Sequence, residues 1–81
     1  MLMPDKHIRF GESLLGLGSC VLDLLSMPKT IEELWQAFRK AAASGAYPVE
    51  QPFEHLVLAV DVLFAIGAVE SDRSGVLRRC V

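Results

Sequence analysis

The stretch GAVESDRSGVLRRCV, residues 67–81, decides how the rest of the chain is read. Two short runs, 68–71 and 76–81, alternate apolar and polar side chains, and between them stands DRSG, whose Asp, Ser and Gly are turn formers. Alternation of period two marks a half-buried strand, so the pair is expected to be a β-hairpin. Gly67 stands just before it, well placed as the left-handed residue that stops a helix.

Upstream of Gly67, the residues Phe53, Leu56, Val57, Val60, Leu63, Phe64 and Ile66 make a broad apolar stripe at helical spacing. Pro52 suits the first turn of that helix, because its missing amide would be unpaired there anyway. The loop AYPVEQ precedes it. A second helix is announced by Thr30 and Glu33, the capping-box pair. Its stripe is Ile31, Leu34, Trp35, Phe38 and Ala42, its wet face carries Glu32, Glu33, Gln36, Arg39 and Lys40, and Ser44 and Gly45 end it. The segment SMPKT separates it from a first helix, expected from residue 12 or 13 to about 25, with Leu14, Leu17, Val21, Leu24 and Leu25 in register. That helix has few polar residues, Ser13, Ser19 and Asp23, and is expected to be covered on more than one side. Residues 1–11 read as an extended arm, with apolar Met1, Leu2 and Met3, then Pro4, then the alternating run HIRF. Helix, capped helix, longer helix and hairpin give the expected fold: mainly α with a C-terminal β-hairpin, a winged helix-turn-helix of three helices plus wing, as one domain over 12–81 behind the arm. A three-helix bundle with a disordered tail is the alternative, against which the alternation near Val69 and Val76 argues.

Composition limits what such a domain can do. The chain has 81 residues, of which 52% are hydrophobic, and its mean hydropathy is +0.37. A chain of this size buries little more than about 60% of the surface that its unfolded form exposes. The excess apolar material is expected to face a partner. A net charge of −2 gives no bulk attraction for phosphate. Cys20 and Cys80 are sixty positions apart and form no metal-ligand pattern, which fits a reducing cytoplasm. The leucine-rich run ends at Asp23, short of the roughly 20 residues a membrane span needs. Asp5 and Glu12 and the lack of a small-residue cleavage site argue against a secretory leader.

A winged helix invites a DNA-binding reading, and the polar residues before and along the third helix test it. They are Glu50, Gln51, Glu54, His55 and Asp61, with no Arg or Lys for phosphate or guanine. Any contact to phosphate would fall to Lys6 and Arg9 in the arm and to Arg73, Arg78 and Arg79 in the wing, so DNA contact is expected to be indirect or weak. Catalysis has no motif behind it: His7 and His55 lack a nucleophile partner, and GLG at 16–18 is not a phosphate-binding loop. No catalytic, cofactor-binding or metal residue is expected. Protein binding is left, with Met1, Leu2, Met3, Ile8, Phe10, Leu14, Gly16, Gly18, Tyr47 and Phe53 as the candidate contact residues. Trp35, Phe38 and Phe64 fall on the stripes and read as core. Gly16 and Gly18 should each cost a helix interior about 1 kcal/mol relative to Ala, which suggests close approach of another element or a partner.

The wording of the chain adds a resemblance. PDKHI at 4–8, ESLLGLG at 12–18, TIEELW at 30–35 and LAVDVLFAIGAV at 58–69, in that order over nearly the whole chain, resemble the small winged-helix middle component of bacterial ABC-three-component conflict systems. The resemblance implies a three-part operon in which an ABC ATPase of the SMC or Rad50 type senses invading DNA, an effector attacks, and the middle component couples them. The chain would then be a non-catalytic adaptor in anti-phage or anti-plasmid defence, with the ABC ATPase and the effector encoded nearby as its partners. Homodimerisation through the first helix is the other way to cover the apolar surplus, and a small DNA-binding transcriptional regulator is the other function.

Overall fold

Proline opens the first helix. The computed structural model describes residues 4–45 and 51–81, and side chains from residue 14 onward, and in it α1 runs Pro4–Leu24. Residues 4–11, expected to be an extended arm, are helical, and the start expected near residue 12 lies about two turns too late. The physical reason is local. Proline suits the first turn of a helix, because the amide it lacks would have no intrahelical partner there. A four-residue alternation such as HIRF is too short to outweigh that. Met1, Leu2 and Met3 lie outside the described residues.

The chain then turns into β1, Lys29–Thr30, and α2, Ile31–Ser44. Thr30 caps α2 as expected: the Glu33 amide donates to Thr30 Oγ1 at 3.2 Å, and the Thr30 amide donates to Glu33 Oε1 at 2.9 Å. Gly45 closes α2 at φ 85°. Helix α3 runs Phe53–Ala65, and Gly67, at φ 78°, turns the chain in the left-handed region where a Cβ would be strained. The hairpin follows as β2, Val69–Ser71, and β3, Val76–Arg79. Asp72 fixes its turn: one carboxylate oxygen accepts from the Ser74 amide at 2.9 Å, the Ser74 hydroxyl at 2.7 Å and the Val76 amide at 3.0 Å.

The sheet has one strand more than the hairpin. Its order is β1-β3-β2, all antiparallel, with Lys29 opposite Leu77 and Thr30 opposite Val76 on one side of β3, and Glu70 opposite Arg78 on the other. β1 was not foreseen. Thr30 is extended because an N-cap residue is, at φ −71° and ψ 166°, and its pairing with Val76, beside that of Lys29 with Leu77, makes the two residues a strand.

One core joins these elements. α1 contributes Leu17 and Val21, with Leu25 just past its end; α2 contributes Leu34 and Phe38; α3 contributes Leu56, Ala59, Val60 and Leu63; the sheet closes it with Val69 and Leu77. Burying such side chains favours folding by about 1.5–3 kcal/mol each. Gly18 is buried beneath α3, where a Cβ would lie 3.8 Å from Leu63 Cδ2, an ordinary packing distance. Phe64, expected in the core, is instead 38% exposed. It stands one position past Leu63, about 100° around the helix from the buried edge. No helix among the described residues is long and apolar enough to cross a membrane.

Candidate functional site

The packing of α1 against α3 leaves an apolar groove of about 290 Å³ open to solvent. Gly18 and Ala59 lie at its floor, where small residues let the two helices approach. Leu14, Leu15 and Leu22 line the α1 side, and Val62, Leu63 and Ile66 the α3 side. Its rims are wet: Leu15 is 77% exposed and Ile66 70%. Beyond Val62, the outer ridge of α3 carries Glu54, Leu58, Asp61 and Ala65 at spacings of three and four, all exposed. Ser19 and Asp23, one turn apart and exposed, form the corresponding ridge of α1. The charges of both ridges are carboxylates.

A second hollow, about 520 Å³, is framed by Trp35, Phe38, Arg39 and Pro52. Trp35 stacks on Phe38 with ring centres 5.8 Å apart and meets the edge of Phe53 at 5.3 Å. Gln51, counted above among the polar residues before and along the third helix, precedes α3 and is buried, and its side-chain oxygen accepts from His55 Nδ1 at 2.7 Å. That leaves Glu54 and Asp61 as the exposed charges of α3.

The expected contact residues separate into two places. Leu14, Gly16 and Gly18 are on α1, with Leu14 and Gly18 in the groove and Gly16 half-buried; Phe53 sits across the molecule against Trp35, 41% exposed. Ile8 and Phe10 lie within α1 with their side chains outside the description, as are those of Lys6 and Arg9, and Tyr47 lies outside the described residues. Sequence reading overlooked Leu15, Leu22, Ala59 and Val62. The signal was present in Leu15, Ser19 and Leu22, which repeat at four and three positions beside the core stripe.

The arginines of the hairpin differ in their engagement. Arg78 Nε lies 2.8 Å from Glu70 Oε2 across the hairpin, both side chains 55% exposed, an arrangement that adds little stability. Arg79 donates from Nη1 to the Leu22 carbonyl at 2.9 Å and from Nε to the Val81 carbonyl at 2.9 Å. Lys29 Nζ donates to the Leu24 carbonyl at 2.7 Å. α1 has no basic residue in its own last turn, so the sheet supplies the cations that its negative end favours. Arg73 stands exposed at the turn. Burial pushes the Cys20 thiol up, and the neighbouring Asp23 carboxylate does so further, keeping it protonated and a poor nucleophile. Among the described residues no cluster of His, Cys, Asp and Glu could hold a metal ion.

The features that stand out are thus apolar and aromatic surfaces on a small, mainly helical protein with a three-stranded antiparallel sheet. The chain belongs to the ABC-three component (ABC-3C) system Middle Component 6 family, whose model matches residues 3–80. Among curated proteins and among solved structures, no match was found. Membership makes the chain a component of a multi-protein system, in keeping with the resemblance carried by its motifs.

Proposed function

We propose that this chain is a non-catalytic adaptor of the winged-helix type that couples an SMC- or Rad50-like ABC ATPase to an effector, in a cytoplasmic defence system against phage or plasmid DNA. Family membership over residues 3–80 carries the reading. The order helix, strand, helix, helix, hairpin supports the winged helix. The open groove between α1 and α3 supports docking, since so much exposed apolar side chain on a small domain calls for a cover. The direct experiment is co-expression with the products of the adjacent genes, followed by affinity purification and size-exclusion chromatography. A stoichiometric complex is expected, and an isolated, well-folded monomer that binds neither product would sink the proposal.

A DNA-binding regulator is the competing reading, and the exposed Arg73 at the hairpin tip is what favours it. Against it, Glu54 and Asp61 present carboxylates on α3, and Arg78 and Arg79 are engaged within the chain. Titration with duplex DNA at several salt concentrations separates the two. A steep loss of affinity with salt that shrinks on Arg73→Ala would favour the regulator.

A further inference from the structure

We infer that the groove between α1 and α3 receives an amphipathic helix of a partner protein whose apolar stripe is flanked by lysine or arginine. The inference rests on the adaptor reading and adds what that reading lacks, the site and the chemistry of the partner.

Shape and charge point to the same occupant. A furrow between two packed helices, with small residues at the floor and leucine, valine and isoleucine along its sides, is what a third helix fills with residues at spacings of three and four. From Leu14 to its end α1 has Asp23 as its charged residue, and α3 has Glu54 and Asp61; neither stretch holds a lysine or arginine. An apolar helix with cations along both flanks would meet carboxylates on both ridges. The nearest exception is the Arg79 guanidinium, at the Leu22 end, where it is held by two backbone carbonyls. Other occupants fit less well. A second copy docked by its own groove would bring a patch with Asp23, Glu54 and Asp61 against the same like-charged patch, because a two-fold interface uses one surface on both sides. Nucleic acid would meet the same carboxylates.

The test uses the full chain co-expressed with the two neighbouring gene products. A benzophenone amino acid placed at position 15 or 62 is irradiated in the purified complex, and the crosslinked segment is read by mass spectrometry. The expected segment has apolar residues at i, i+3 or i+4 and i+7 with flanking Lys or Arg. Leu15→Glu and Val62→Glu should weaken the complex by about tenfold or more. Asp61→Lys should weaken it less and flatten its salt dependence, and Lys40→Glu on α2 should leave it unchanged. Leu15 is 77% exposed, so its substitution is compatible with the fold; if circular dichroism showed otherwise, Ile66→Glu, at a position 70% exposed, provides the same test. Crosslinks to a second copy, crosslinks to a segment without basic flanks, or an intact complex indifferent to these substitutions would overturn the inference and leave the adaptor reading standing. Failure of the wild-type chain to bind either product would overturn both.

Discussion

Gly18 sits where α3 crosses α1, and the gap above it is wide enough for a methyl group. Glycine there is a cost to the helix with no steric compulsion behind it. Gly18→Ala is therefore expected to stabilise the isolated chain, by up to about 1 kcal/mol, measured as a higher denaturation midpoint. A lower midpoint would mean that Leu63 cannot yield. Asp72 makes a different kind of contribution. The Ser74 hydroxyl first, then the Val76 and Ser74 amides, hold its carboxyl below the ordinary Asp value. A lowered folded-state pKa contributes stability that is fully present above the ordinary value, about 3.9, and is lost as pH falls through the lowered one. The Ser74 and Val76 amide resonances should therefore shift with a midpoint below that of an unperturbed aspartate. A midpoint at or above it would contradict the turn geometry.

Thr30 serves two elements at once, as the cap of α2 and as half of β1. Thr30→Ala should cost about 1 kcal/mol by chemical denaturation, the worth of an N-cap, while the β1 pairing with Val76, which uses backbone groups, persists. Loss of that pairing in amide exchange would show that the side chain holds the strand as well. What could be read in advance divides along the same physical line. The α2 cap, the closing Gly45 and Gly67 and the hairpin were legible because each is fixed by neighbouring residues. β1 was not, since two residues hold no periodicity and become a strand only when β3 arrives beside them. The start of α1 lies earlier than the pattern of residues 4–11 suggests because proline is compatible with the first turn of a helix and the four-residue alternation in HIRF is too short to hold a strand. On the groove, the thin polar face of α1 directed attention to Leu14 and Gly18. Its other wall, Val62 and Ile66, depends on how α3 is rotated, which packing decides.

For the molecule as a whole, stability of about 0.05–0.15 kcal/mol per residue amounts to roughly 4–12 kcal/mol. Phe38 is among the largest fully buried side chains and stacks on Trp35. Phe38→Ala should cost about 3–5 kcal/mol, a large share of that total, seen as a markedly lower midpoint in chemical denaturation. Trp35→Phe, half-buried and conservative in shape, should be far milder. A variant at Phe38 as stable as the wild type would mean that the core is not the single unit described. The bonds from Arg79 to the Leu22 carbonyl and from β3 to β1 also bear on synthesis. On the ribosome, the first helix and the strand after it emerge long before residues 76–79 exist to pair with them. The nascent chain therefore keeps β1 and the Leu22 carbonyl without these partners until β3 is made, and a chain cut short before Val76 would lose both closures together.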